Sequence, residues 1–498
     1  MSSSELQYII ELSGQRLLAV PNTGNRTPTS NRLQTLRDRA HAWFKFDMHS
    51  FKTISLPEDL YAKKKLVTDG HLYLRDEGGD LATIIPILPK PSQRTIERYW
   101  SAGTLCLVPY STTLDVLMDP AQNLIAIVYS VPDEDDPLES NEMVSIDLRT
   151  LDGDSVHPEA AGRTLIVSGP AGYDDNVDRI ETMCAKLKGC GRHIALQRTL
   201  VVDGTGDRPE SVCHLQIWDW KNSTISSSVL SDTVPYPFED SIDFCFLGNN
   251  RLLVVTDYLK LYSIEDVSQT PQFLACFQAP LPLSDVQCHL PVDDIEHSSS
   301  QLQMQTQQTM HTSDPTHRLL CFTSSYPTTL VFIISTRIFF DLDGIVATTP
   351  IPWDFWGPSN TRVFRYPYLC KVHVSGNRVL QAFTVGAPDT CPTEYDVHMM
   401  DFSPLAVPNR QGLGRVVKEP STIQVTVLTS DSEENLKITT SLPYVEVISD
   451  RKFNVRELEG IWLDKDRIYL FNANWDCDAV GSLQYLTSQS SRLEVIDV

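Results

Sequence analysis

From about Leu56 onward this 498-residue chain reads as strand after strand, with no helical stretch between them. The segments HLYLR (71–75), TLDVLM (113–118), NLIAIVY (123–129), HLQIWDW (214–220), RLLVVTD (251–257), LVFIIS (330–335) and RIYLF (467–471) are short and rich in β-branched or aromatic residues. Gly, Pro, Asn or Asp bounds each of them. A Rossmann or other doubly wound sheet needs a helical crossover between successive parallel strands, so that plan is excluded.

The turns carry a second regularity. Asp119 to Asn123, Gly248 to Arg251, Ser375 to Arg378 and Asp464 to Arg467 each lie between two apolar strands and supply tight-turn residues. Their last residues are 128, 127 and 89 positions apart. Taken as three, three and two repeats, these gaps give about 43, 42 and 45 residues, the period of a four-stranded propeller blade. Trp218-Asp219 closes an apolar strand as the Trp-Asp dipeptide does in repeats of that class, and Tyr258 to Ile264 follows RLLVVT as a neighbouring hairpin strand should. The expected fold is mainly β, a β-propeller-like array of six to eight blades over residues 51–498. A pair of large β-sandwiches is the second choice.

Residues 1–50 form a helical lead. Ser4 with Gln7 is a capping-box pattern, and Leu6, Ile9 and Ile10 follow at helical spacing before Gly14. Asn31 can cap a second helix, in which Leu33, Leu36, Ala40, Trp43 and Phe44 make one apolar stripe. Both helices are expected to pack on the strand-rich body. Two insertions interrupt that body. Residues 133–139, DEDDPLE, are strongly acidic, and residues 293–317 are a Ser/Gln/Thr-rich tract without a packing face, so both are expected to be disordered surface loops.

The chain carries 41 Lys and Arg against 64 Asp and Glu, a formal net charge of −23. A protein that follows a phosphate backbone needs a basic face, so nucleic acid is not an expected partner. Glu5 and Glu11 interrupt the apolar run that a secretory signal would need, and Arg337 breaks the most apolar window, Thr329 to Leu342, far short of a membrane span. Eleven cysteines with no Cys-x-x-Cys pair read as reduced thiols of the cytoplasm or nucleus. Asn25 and Asn222 then match the glycosylation pattern by chance.

No catalytic, cofactor-binding or metal-ligating set can be singled out. Cys184, Cys190 and His193 lack a fourth ligand and do not match zinc-finger spacing. Gly204-Thr205-Gly206 and Gly412-Leu413-Gly414 lack the strand-to-helix context of a phosphate cradle and read as turns. Ser168-Gly169 is not the centre of a nucleophile elbow. Paired carboxylates are abundant at this charge and therefore uninformative about glycoside chemistry. The expectation is a protein that is not an enzyme and carries no cofactor.

One run is more specific. WDFWGPSNTR (353–362), through Trp353, Trp356, Gly357, Pro358, Asn360, Thr361 and Arg362, resembles the signature of a large family of basidiomycete fungal F-box proteins. Three further stretches lie in the order that family shows: ELQYIIEL (5–12) with the Trp43 helix after it, IWDWKNSTI (217–225) and LPYVEV (442–447). The resemblance implies a substrate-recognition domain of an SCF-type ubiquitin ligase, whose N-terminal F-box binds a Skp-type adaptor. That box is missing here, because ELQYIIEL resembles the segment that follows it. Either the sequence is truncated or the chain is a box-less paralogue, and the adaptor is a partner only if an upstream F-box exists. A stand-alone interaction scaffold is the alternative, and an enzyme on a propeller the third reading. The two Trp beside a Gly-Pro turn are expected to form a packing corner between blades instead of a ligand site.

Overall fold

The computed structural model describes residues 3–498 apart from 21–26, 46, 57–61, 77–80, 90–94, 102, 133–142, 170–178, 204–209, 235–241, 284, 291–310, 326–327, 344–348, 367–370, 387–392, 410–413, 429–432 and 476–487. The acidic insertion at 133–139, the Gly204-Thr205-Gly206 turn and Gly412-Leu413 lie outside the described residues.

Helices α1 (Ser3–Gly14) and α2 (Thr29–Lys45) open the chain. Seven antiparallel sheets follow, spanning residues 62–100, 112–166, 179–234, 243–278, 287–365, 372–454 and 458–497, here blades 1 to 7. In blades 1 to 4 each strand pairs with the next in sequence, so turns and loops suffice, whereas blade 5 pairs its four strands across the long connections 290–318 and 336–360. Blade 6 breaks the sequence order. Its first three strands are joined by Tyr444–Asn454 and then Arg415–Val417, and the hairpin Ser421–Leu428/Glu433–Thr440 stands between them in sequence.

The ring closes on itself. Lys52–Ser55 pairs antiparallel with Ser488–Asp497, from Lys52↔Val495 to Ser55↔Arg492, and supplies the outer strand of blade 7. A strand from before blade 1 thus completes the last blade and covers its outer edge, which would otherwise offer unpaired backbone groups.

The seven apolar segments expected to be strands all lie on strands, most of them inside the ring. Leu124–Val131 and Leu330–Ser335 are buried along almost their whole length, because a strand sandwiched between neighbouring blades has no wet face and loses the polar alternation. The cores are therefore stacked around the ring. Leu148 and Ile146 of blade 2 meet Leu196 and Trp218 of blade 3, and Phe322 and Phe332 of blade 5 meet Leu261 and Phe277 of blade 4.

The fold class expected from sequence is thus present, with seven blades, and the sandwich pair is not. The repeat length is not as expected. The four turns fall in blades 2, 4, 6 and 7, so the gaps of 128, 127 and 89 residues span two, two and one blades. Two blades in 128 residues is 128/2 = 64 each, not about 43. The extra length lies in connections, such as the stretch between the first two strands of blade 5 and the hairpin inserted in blade 6.

α2 buries Leu33, Leu36, Ala40, Trp43 and Phe44, as its spacing predicts. Trp43 and Phe44 enter the core shared by blades 5, 6 and 7, and the Arg378 guanidinium lies 4.8 Å from the Trp43 ring. Two of the turns noted above receive the lead: Arg39 donates to Lys465 O at 2.8 Å and contacts Asp466, and Asn377 donates to Gln15 O at 3.3 Å. Leu17–Ala19 pairs with His311–Ser313. The last seven residues of the Ser/Gln/Thr tract, 311–317, are therefore ordered, because the lead offers them an edge to pair with and Asp314 accepts from the Thr316 and His317 side chains. The rest of that tract, 293–310, lies outside the described residues. Among the described residues no helix is long and apolar enough to cross a membrane.

Candidate functional site

The first strand of each blade lines the central channel, and a belt of ion pairs runs from blade to blade along it. Asp115, Asp243 and Glu459 lie on these strands in blades 2, 4 and 7, each eight residues before the last residue of its turn, Asn123, Arg251 and Arg467. Lys64, Lys186 and Lys371 precede the turn residues His71, His193 and Arg378 of blades 1, 3 and 6 by seven. These turns are tight; at the first, Asp69 and Gly70 both take positive φ, 43° and 67°. The two sets meet. Lys64 contacts Asp115, Lys186 donates to Ile242 O beside Asp243 at 2.7 Å, and Lys371 donates to Leu458 O beside Glu459.

The carboxylates also tie in the following blade. Asp115 accepts the Leu187 N–H at 2.9 Å, and Asp243 accepts the Cys288 N–H at 2.6 Å while Lys188 sits 2.7 Å away. Burial alone would raise Asp243, but Lys188, Lys186 and the Cys288 N–H outweigh it and hold the carboxyl below its usual range. Burial pulls Lys188 down, and Asp243 more than restores it. At the junction of blades 7 and 1 the longer Glu459 turns to Lys65, at 2.5 Å. Sequence reasoning missed this belt, although counting back from the turns it identified would have found the acidic half.

A cavity of about 380 Å³ opens in the channel between blades 5, 6, 7 and 1, lined by Lys65, Lys371, His289, His373 and Glu459 among others. A larger cleft, about 620 Å³, lies between the helical lead and blade 6. Its charges already serve each other. Glu11 takes Arg37 and Gln15, and Asp401 takes Arg378 and the Ser403 N–H, so this cleft is a seam between two packed bodies.

The 353–362 run forms helix α3 (Trp353–Asn360) and the outer strand of blade 5, Thr361–Arg365. Trp356 is buried against Phe277 of blade 4, with ring centroids 5.5 Å apart, and its Nε1–H donates to Gln278 O at 3.0 Å. Trp353 meets Trp356 edge to face at 4.9 Å, and a Cβ on Gly357 would fall 2.3 Å from the Trp353 ring. Pro358 O accepts the Ser441 N–H at 2.7 Å, Asn360 donates to Trp356 O, and Thr361 O accepts the Leu442 N–H at 3.2 Å. Buried Arg362 donates to Glu419 O and Thr440 O and covers the Tyr444 ring at 5.3 Å. The run thus ties blades 4, 5 and 6 to the inserted hairpin, and it meets the LPYVEV stretch directly. IWDWKNSTI lies elsewhere, where Trp220 donates to Gly191 O and stacks edge to face on His157 at the junction of blades 2 and 3.

Cys190 and His193 pair across a two-residue turn in blade 3. Burial pushes the Cys190 thiol up to about 12 and holds His193 down to about 4, so neither is poised as a nucleophile or base. Among the described residues no group of three or more His, Cys, Asp and Glu is arranged to hold a metal ion.

No protein-family model matches this chain, and no curated protein does. Among solved structures it is similar to the WD40 domain of SCAP from fission yeast, at 6% identity over 90% of this chain and 98% of that one, with a TM-score of 0.32. It is also similar to Sqt1 from Saccharomyces cerevisiae, at 8% identity over 89% and 99%, TM-score 0.31. Puromycin hydrolase is matched at 11% identity over 86% of this chain and 55% of that one, TM-score 0.34. Likenesses this distant say nothing about activity.

Proposed function

We propose that this chain is a protein-recognition subunit in which the propeller selects a protein partner and α1 joins it to a larger assembly. Following the resemblance of WDFWGPSNTR and ELQYIIEL, that assembly is an SCF-type ubiquitin ligase, reached through a helical F-box packed on α1. The observation that carries the reading is α1 itself. Its end is pinned to the body, since Leu405 N–H donates to Gly14 O and a Cβ on Gly14 would fall 1.9 Å from the Leu405 side chain. One face buries Tyr8 and Leu12 against Leu33 and Leu36. The opposite face holds Leu6, Ile9 and Ile10 at 52, 49 and 52% exposure.

A helix that is apolar on both faces belongs between two bodies. Covering three half-exposed side chains of this size is worth about 1 kcal/mol each, enough to orient a neighbouring helical segment though not to hold it alone. The test is co-purification with a Skp-type adaptor, using this chain and the same chain extended at its N-terminus by an F-box, taken from any in-frame sequence upstream of Met1 or, failing that, from another F-box protein. The extended chain is expected to retain the adaptor and this chain to lose it. Leu6→Glu with Ile9→Glu in the extended form should weaken retention without unfolding the propeller. No retention by either form would overturn the ligase reading and leave a stand-alone scaffold.

A further inference from the structure

Three of the seven blade junctions use the same staple, a lysine that donates to the first-strand backbone or carboxylate of the next blade, and they differ in how its charge is met. Lys64 has Asp115 in contact, and Lys186 sits at a junction where Asp243 is in contact with the nearby Lys188. At the third, Glu459 has turned away to Lys65, and among the described residues Lys371 donates to Leu458 O, with the Tyr395 ring 5.5 Å away and no carboxylate in salt-bridge contact. Lys371 is also the staple that lines the 380 Å³ channel cavity, a volume within the range of small-molecule sites and small for a peptide segment. A desolvated cation beside a polar cavity is a site for an anion.

We propose that the channel cavity walled by blades 5, 6, 7 and 1 binds a small oxyanion-bearing molecule, a phosphate ester or carboxylate of metabolite size, with Lys371 as its anchoring cation. Two neutral imidazoles assist. His373 Nδ1 accepts the Leu463 N–H at 3.1 Å, which puts the ring proton on Nε2 and makes that atom a donor. Burial holds His373 down to about 3 and His289 to about 4, so both stay uncharged at neutral pH. The groups around Lys371 are Lys65 and Glu459, paired with each other, His289, the phenol of Tyr395, and Asp285 on the cavity lining. Burial pulls Lys371 down to about 8, with Glu459 opposing and Lys65 adding to the fall. An oxyanion meets the ammonium form, so affinity is expected to be flat below pH 7 and to fall as pH rises through 8.

The test is calorimetric titration of the full chain with inorganic phosphate, citrate and a Glu-rich hexapeptide at constant ionic strength, from pH 6.5 to 9. Saturable binding of phosphate or citrate, weakened at least tenfold in Lys371→Met and lost toward pH 9, is the expected result. In the unaltered chain, phosphate or citrate should also protect Lys371 from reductive methylation, read by mass spectrometry, which needs no variant to fold. The proposal is overturned by binding that Lys371→Met leaves intact, by methylation of Lys371 that neither anion slows, by no saturable binding of either anion, or by binding of the peptide alone.

Discussion

Asp243 is the most demanding test of how the ring is held. It is 3% exposed, contacts Lys188 at 2.7 Å, and accepts two backbone N–H groups, from Phe244 at 2.8 Å and from Cys288 of the next blade at 2.6 Å. Asp243→Ala strands the ammonium and orphans the inter-blade N–H. Breaking a buried pair from one side costs about 3–5 kcal/mol, and the low end applies because the Lys188 side chain, 29% exposed, can reach some water. An orphaned N–H costs about 1–3 kcal/mol on its own, but the two losses share one carboxylate and do not add in full, so about 4 kcal/mol is expected. At about 2.1 cal/mol/K per residue, 498 residues unfold with an entropy of about 1 kcal/mol/K, which makes this a fall of about 4 °C in Tm. Asp243→Asn keeps an acceptor for Cys288 and loses only the charge, so its fall should be about half. Since Asp243 is held below its usual range, its contribution is present above that range and is lost as pH falls through its folded value. The gap between wild type and Asp243→Ala should therefore be constant near neutral pH and narrow in acid. Calorimetric scans at one rate measure all three proteins. A Tm for Asp243→Ala within 1 °C of wild type, or Asn as harmful as Ala, would refute the idea that this carboxylate stitches blades 3, 4 and 5.

Trp356→Ala should cost about 3–5 kcal/mol by urea unfolding, since it empties the corner between blades 4 and 5, whereas Phe355→Ala, at an 82% exposed position on the same helix, should stay within about 0.5 kcal/mol. His193 and His214 are buried and both held down to about 4, so between pH 6.5 and 4 the unfolded chain takes up protons that the folded chain refuses. At pH 5 this removes about 2 kcal/mol per histidine, and a His193→Gln/His214→Gln chain that folds should lose less stability than wild type between pH 7 and pH 5. Gly357→Ala drives a Cβ into the Trp353 ring and should cost about 1–3 kcal/mol, with a change in near-ultraviolet circular dichroism as the two indoles separate.

Much of the architecture was legible in order of residues. Runs such as LVFIIS and NLIAIVY, bounded by turn residues, point to hairpin-built sheets, although helix α3 stands between the last two strands of blade 5, and the Trp43 stripe marks a helix that must dock. Physical chemistry acts there over a few neighbouring residues, so the letters suffice. Repeat length was not legible, because turns mark blade corners without saying how many corners lie between two of them. Ring closure was not legible either: nothing in Lys52–Ser55 points to Leu493 and Val495, more than four hundred residues on, and only the geometry of a closing circle brings them together. The same holds for charge. Sequence alone determined an excess of carboxylates and a strand-rich body; the tertiary structure decided that Asp115, Asp243 and Glu459 face lysines of neighbouring blades and that Lys371 stands beside a cavity while Glu459 pairs with Lys65, because whether a charge is solvated or matched depends on what the fold places beside it.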